Sequence, residues 1–98
     1  MRARAGASGE RLSVLVRRSD GALSRLGMIV PKALAARAVD RNYIRRVARE
    51  QFRRADAGGY DVIVRLRQRY IREPRGVLGR ELAELLARAL PARPPHES

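Results

Sequence analysis

The 98-residue sequence contains no cysteine and no tryptophan, and it has a single histidine and a single phenylalanine. The absence of cysteine excludes a disulfide framework and any zinc site with thiolate ligands. The lone His96 lies in a proline-rich tail, so the sequence offers neither a catalytic triad nor a metal-binding cluster. We therefore expect a protein that supplies no catalytic side chain and no metal ligand.

Long apolar runs are also missing from the chain. No segment approaches the ~20 apolar residues that a membrane-spanning helix needs. The first residues, MRARAGASG, carry charge but lack the apolar core of an export signal. These absences predict a cytoplasmic protein with no membrane partner.

Carboxylates are scarce relative to cations. The chain has 22 lysines and arginines against 10 acidic residues, which gives a formal charge of +12. All but one of the cations are arginine, the exception being Lys32. A single-sign field of this strength favours polyanionic partners, and arginine favours bidentate contact with phosphate and stacking on bases. The composition therefore predicts a nucleic-acid-binding protein.

The distribution of small and polar residues predicts one domain with two loose ends. Residues 1–10 are small and charged and are expected to form a flexible N-terminus. Residues 91–98 are rich in proline and are expected to form a disordered tail. The folded RNA-binding domain should span residues 11–90.

Period-two alternation of apolar residues predicts strands at 12–16 and 60–67, and the LGMIV segment at 26–30 is expected to be a strand that ends at Pro31. The first two are expected to pair as a hairpin, because Asp20-Gly21 provides turn chemistry between them. Helices are expected at 39–55, with Asp40 as N-cap, and at 77–90. The order β-β-α-β-α predicts the α+β class, with a small sheet and two packed helices.

The helix predicted at 39–55 has two chemically opposite faces. Apolar residues around Ile44 and Val47 cluster on one side of a helical wheel. A stripe about 140–200° away carries no carboxylate; its residues are Asn42, Arg46, Arg49 and Arg53. This geometry suits a row of phosphates.

The segment RNYIRRVAREQFRR at residues 41–54 resembles the signature helix of the ribonuclease P protein component, which opens with Arg-Asn-Arg and continues with a basic Arg-Glu-x-Phe-Arg stretch. The flanks are similar in kind: a GMIV strand that leads to Lys32, and a GGYDVIV strand after the helix. The resemblance covers about residues 11–90. It implies a fold similar to the second domain of ribosomal protein S5, in which a left-handed β-α-β crossover holds the helix between two parallel strands.

The resemblance also implies a function. Proteins of this family are the non-catalytic subunit of ribonuclease P, an endoribonuclease whose RNA removes the 5′ leader from precursor tRNA. The implied partners are ribonuclease P RNA and precursor tRNA, the implied cofactor is Mg²⁺ bound mainly by the RNA, and no protein partner is required. Matching positions imply RNA contacts by Arg41, Asn42, Arg45, Arg46, Arg49, Arg53 and Lys32.

The sequence departs from the family pattern in two respects. Tyr43 stands where the family's opening triplet has its second arginine. The helix that normally begins these proteins, and the aromatic residues that it and the first strand contribute to leader binding, are not evident. Candidates for facing the leader or substrate are Tyr43, Arg65, Arg67 and Arg69. Tyr60 and Tyr70 are interpreted as tyrosines at the edge of the core.

Three other functions are compatible with a basic helix. A general structured-RNA-binding protein of ribosomal type would use the same face without any role in tRNA processing. A DNA-binding helix-turn-helix is disfavoured, because no second helix follows a short turn. A membrane-surface helix is also disfavoured, because such a peptide needs neither strands nor a second apolar helix.

Overall fold

The computed structural model describes residues 4–20 and 23–90. Within these residues the chain forms one four-stranded sheet and two helices, and the expected α+β class is confirmed. The elements in chain order are β1 (Arg4–Ser8), β2 (Leu12–Arg18), β3 (Leu26–Ile29), α1 (Ala38–Ala55), β4 (Tyr60–Leu66) and α2 (Val77–Ala89). All three predicted strands and both predicted helices are present.

The sheet has the order β1-β2-β4-β3. Strand β4 lies between β2 and β3, pairing antiparallel with β2 and parallel with β3. The predicted hairpin between β2 and β3 is therefore wrong. Turn residues indicate only that the chain reverses, and they do not specify which strands pair. Strand β4 lies between β2 and β3 and forms a ladder of hydrogen bonds with each of them. Helix α1 connects two parallel strands, as the resemblance implies; the left-handed sense of that crossover stays a prediction.

The prediction of a flexible N-terminus is wrong for residues 4–8, which form β1. This strand pairs antiparallel with β2 along its whole length, from Arg4 opposite Arg17 to Ser8 opposite Ser13. Its composition is poor in β-formers, but Ala7 packs against the core and the Gly9 amide donates to the Leu12 carbonyl at 2.8 Å to close the turn. Pairing with an established strand thus overrides weak local propensity. Residues 91–98 and Gly21 lie outside the described residues.

The core lies between one face of the sheet and the two helices. Strands β2 and β4 alternate as predicted, so that every second side chain is buried beneath the helices. The buried strand residues are Leu12, Val14, Val16, Val62, Val64 and Leu66. The leucine stripe of α2 faces them, with Leu82 and Leu85 almost inaccessible. The opposite face of the sheet is open and carries the exposed side chains of Ile29 and Ile63.

Helix α1 begins earlier than expected. Its N-cap is Arg37, which makes no side-chain capping bond, so the prediction of Asp40 as N-cap is wrong. Asp40 instead lies in the first turn, where a carboxylate is favoured by the helix dipole. The helix ends as predicted before the glycine pair, and Asp56 takes a left-handed backbone conformation (φ 53°) as its C-cap.

A cluster of charges fastens α2 to the turn between β1 and β2. Glu81 accepts hydrogen bonds from the Arg11 guanidinium (2.8 Å) and from the backbone amides of Arg11 (2.8 Å) and Leu12 (2.9 Å). Glu73 accepts from the same guanidinium at 2.7 Å. Hydrogen bonds to Glu73 and Glu81 raise the pKa of Arg11 further above its usual range. The cluster joins three segments that are distant in sequence.

Candidate nucleic-acid interface

The orientation predicted for α1 is confirmed. Ile44, Val47 and Ala48 are buried against the sheet and α2. The residues of the opposite stripe, Asn42, Arg46, Arg49 and Arg53, are exposed. None of these three arginines forms an ion pair with another residue in the ranges 4–20 and 23–90. The stripe is therefore an uncompensated row of positive charge that points away from the sheet.

Arg41 differs from the other arginines of α1. It is half-buried, and its Nη1 donates hydrogen bonds to the carbonyl oxygens of Ala35 (3.0 Å) and Ala36 (2.8 Å). The Arg41 guanidinium thereby holds the segment before α1, at Ala35 and Ala36, against the first turn of the helix. The helix dipole disfavours a cation at this end of a helix, and these two hydrogen bonds offset that cost. Arg41 therefore has a structural role within the chain.

Lys32 lies in the tight turn between β3 and α1. The carbonyl oxygen of Pro31 accepts hydrogen bonds from the amides of Leu34 and Ala35, each at 3.0 Å, and the Lys32 side chain is exposed on this turn. Arg45 is half-buried on the flank of α1. Lys32 thus lies on the segment that leads into α1, and Arg45 lies on the helix itself, next to Arg46 of the stripe.

The arginines of β4 and its extension belong to another surface. Arg65 is exposed on the open face of the sheet, opposite Ser13 in β2 and Ile29 in β3. Arg67 is also exposed, and its Nη1 donates to the carbonyl oxygen of Gly9. Since α1 covers the other face of the sheet, its exposed stripe and Arg65 lie on opposite sides of the molecule. The arginines of the stripe and those of β4 therefore form two separate surfaces.

Tyr43 belongs to neither surface. It lies on the flank of α1 that faces the segment between β4 and α2, and it shares a cavity of about 420 Å³ with Tyr70. The guanidinium carbon of Arg46 lies 5.7 Å from the centroid of the Tyr43 ring, within cation–π range. Burial raises the pKa of the Tyr70 hydroxyl, and the neighbouring Tyr43 and Asp40 raise it further. Tyr70 thus stays protonated and neutral near pH 7.

Sequence reasoning named Arg67 and Arg69 in the segment between β4 and α2, but it missed two other cationic residues there. Arg72 and Arg75 line the same cavity as Tyr43, and Arg72 Nη2 lies 3.6 Å from Asp40 Oδ1. These residues fall outside any periodic element, so no helical or strand pattern connects them with α1. The signal available was only the local density of arginine around Pro74.

The mixed sheet with a helix crossing between parallel strands, together with the arginine-faced α1, defines a small basic α+β protein. The model of the family Ribonuclease P matches residues 1–90. The chain belongs to this family. The match also includes the N-terminal residues that the sequence analysis left outside the resemblance.

Individual relatives and structures agree with this assignment. The ribonuclease P protein component of Paraburkholderia xenovorans is 48% identical over 59 residues, which cover 58% of this chain and 42% of the relative. The chain thus matches less than half the length of that relative. The ribonuclease P protein of Staphylococcus aureus superposes with a TM-score of 0.74 at 26% identity, covering 86% of this chain and 79% of that one. The Thermotoga maritima protein gives 0.64 at 30% identity, with 86% and 78% covered.

Proposed function

We propose that this protein is the protein subunit of ribonuclease P, which binds the catalytic RNA and assists magnesium-dependent removal of the 5′ leader from precursor tRNA. Membership of the family supports the proposal. The observation that carries it is the exposed stripe of α1, which has no carboxylate and ends in Arg53. Phosphate contacts of this kind position a protein on RNA without supplying chemistry.

The proposed RNA contacts are the exposed residues Asn42, Arg46, Arg49 and Arg53, with Lys32 and Arg45 at the border of the stripe. Arg41 takes part indirectly, because its hydrogen bonds to Ala35 and Ala36 hold the turn in front of the helix. Asn42 adds an amide that both donates and accepts hydrogen bonds. The protein's contribution is then differential binding of RNA and precursor.

The open sheet face is proposed as the side that meets the leader or precursor tRNA. Arg65 lies there among the exposed apolar side chains of Ile29 and Ile63, and Arg67 and Arg69 continue from the same strand end. Apolar surface flanked by guanidinium groups suits an extended single strand, since phosphates and bases both find partners. Among the described residues of the sheet, no aromatic side chain lies on this open face.

Mg²⁺ is proposed to be held mainly by the RNA. The carboxylates of Glu73 and Glu81 are both hydrogen-bonded to Arg11 and are therefore already paired with a cation. Within the described residues no group of three or more acidic, histidine or cysteine side chains could hold a metal ion. The side chains of residues 4–20 and 23–90 thus offer no cluster that fits a magnesium site, which supports the proposal that the RNA holds the ion. Neither described helix is long and apolar enough to cross a membrane, and a cytoplasmic location stays a prediction.

The decisive experiment measures release of the 5′ leader from a precursor tRNA by a bacterial ribonuclease P RNA at low Mg²⁺, with and without the protein. We expect cleavage to depend on the protein. Tight RNA binding without stimulated cleavage would favour a general structured-RNA-binding protein. Failure to bind the RNA would contradict the proposal.

The stripe is tested by the double substitution Arg46→Ala with Arg49→Ala. RNA binding should weaken by about 1–3 kcal/mol, and its dependence on salt should become shallower because fewer counterions are released. The matched control is Arg18→Ala with Arg88→Ala, which removes two exposed arginines outside α1. Equal losses in the two double variants would show that net charge, and not the stripe, determines affinity.

A further inference from the structure

The cavity beside Tyr43 has the composition of a nucleobase pocket. It lies between the first turns of α1 and the segment that follows β4, and its volume is about 420 Å³. Its apolar surface comes from Tyr43, Tyr70 and the exposed side chain of Val39. Its polar rim includes the exposed amide of Asn42. Two phenol rings and an amide are the groups that stack on a base and read its edge.

The walls of the cavity are fixed by contacts within the protein. The Tyr70 amide donates to the Leu34 carbonyl at 2.8 Å, which holds this segment against the turn before α1. Glu73 is bound by Arg11, and Asp40 is paired with Arg72 across the cavity. Because all of these contacts are made between groups of the protein itself, little ordering is needed when a flat group enters.

Positive charge continues from the cavity along one direction. Arg46 and Arg75 line the cavity and also line a groove of about 690 Å³ between α1 and α2. Arg54 and Arg80 extend that groove, which contains a single carboxylate, Glu50. A base in the cavity would therefore place its neighbouring phosphates among four guanidinium groups.

We propose that the Tyr43–Tyr70 cavity binds one unpaired nucleobase of an RNA partner, with the adjoining phosphates in the arginine groove between α1 and α2. This inference rests on the proposed function, because it specifies how the same partner is recognised. In this arrangement Tyr43 and Tyr70 form an aromatic pair that stacks on the base. An arginine at position 43 would not complete such a pair. The cavity shares Asn42 and Arg46 with the outward stripe of α1, and it lies apart from the open face of the sheet.

The test compares two RNA hairpins that differ only by one bulged nucleotide in the stem. Wild-type protein should bind the bulged hairpin roughly fivefold or more tightly than the paired one, as expected for stacking of one base. Tyr43→Leu and Tyr70→Leu should each reduce this preference toward unity, whereas Tyr43→Phe should keep it. Tyr60→Leu is the matched control, since Tyr60 lies at the other end of α1 and outside this cavity.

Fluorescence gives an independent measurement, because the chain has three tyrosines and no tryptophan. Stacking of the bulged base should quench emission in wild type, and the double variant Tyr43→Phe with Tyr70→Phe should lose that quenching while it keeps the preference for the bulge. Retention of the preference in a folded Tyr43→Leu or Tyr70→Leu protein would overturn the inference, as would equal affinity of wild type for the two hairpins. If the protein stimulates leader cleavage but shows no preference for the bulge, the proposed function is still supported, and only the binding of a nucleobase in the cavity is rejected.

Discussion

Loss of the Glu81 carboxylate should strongly destabilise the protein. Its Oε2 accepts the backbone amides of Arg11 and Leu12, and its Oε1 accepts the Arg11 guanidinium, at 2.8, 2.9 and 2.8 Å. The Glu81 side chain is only 12% exposed, so water cannot readily replace the carboxylate. One side chain therefore satisfies three donors at the junction of α2 with the sheet.

The magnitude follows from the donors that are left behind. Glu81→Ala leaves two backbone amides without their acceptor and removes one of the two carboxylates bonded to the Arg11 side chain. Hydrogen bonds to a charged group contribute about 1.5–3 kcal/mol each, but Glu73 still neutralises Arg11, so we expect a total loss of about 3–5 kcal/mol. Glu81→Gln keeps one acceptor oxygen and should cost about 1–3 kcal/mol. Domains of this size are typically stable by only about 5–15 kcal/mol.

The assay is urea unfolding followed by far-UV circular dichroism at constant ionic strength. Glu84→Ala is the matched control, because Glu84 lies on the exposed side of the same helix and should change stability by less than about 0.5 kcal/mol. If Glu81→Ala costs no more than Glu84→Ala at an unchanged urea slope, the hydrogen bonds of Glu81 do not hold α2 in place.

The same interaction predicts a pH dependence. Burial alone would raise the pKa of Glu81, but the hydrogen bonds from Arg11 and Leu12 outweigh it and the pKa is lowered from its ordinary 4.5. A lowered pKa means that the folded state binds the proton less readily than the unfolded chain. The stabilisation is therefore complete above about pH 5 and is lost as the pH falls through the folded-state pKa. The difference in stability between wild type and Glu81→Gln should shrink over that window, and a constant difference down to pH 2 would contradict the assignment.

Two further predictions concern other positions, and both are read from urea unfolding. Gly9→Ala should destabilise by about 1–3 kcal/mol, because its Cβ would lie 2.5 Å from Glu81 Oε2. Gly79→Ala should be neutral or stabilising by up to about 1 kcal/mol, because its Cβ would meet the side-chain end of Gln51 at 3.4 Å and make an ordinary contact with Val47 at 3.8 Å. Equal effects of the two glycine substitutions would refute this difference. Arg41→Ala should cost about 1–2 kcal/mol through its carbonyl contacts, and Arg49→Ala less than about 0.5 kcal/mol; a stable Arg41→Ala variant would mean that those contacts are not structural.

The elements with strong local signals could be predicted from the sequence. In β4 the alternating apolar residues are buried, and in α2 the leucine stripe is buried. The sequence therefore predicted both elements and the face of each that packs against the core. The wheel of α1 was reliable for the same reason, since Ile44 and Val47 on one side are buried and Arg49 on the other is exposed. Amphipathic periodicity specifies a face because burial of apolar surface is the dominant local constraint.

Strand order and the N-terminal strand could not be predicted in this way. The position of β4 between β2 and β3 depends on pairings between residues that are distant in sequence, and no local pattern encodes them. Strand β1 has almost no apolar residue to reveal it, and its existence depends on the edge that β2 offers. The cavity beside Tyr43 was missed for a related reason, because half of its wall comes from an irregular segment.

The distribution of carboxylates connects stability with the proposed function. Acidic residues are few, and several that are partly or fully buried pair with cations of the fold: Glu73 and Glu81 bind Arg11, and Asp61 Oδ2 lies 3.7 Å from Arg17 Nε. Glu50 on α1 and Glu84 on α2 are exposed, but neither lies on the outward stripe of α1. The positive surface thus depends on where the carboxylates lie, and not on the number of arginines alone. Added salt should accordingly weaken RNA binding steeply while it reduces repulsion among the exposed arginines and raises the stability of the free protein.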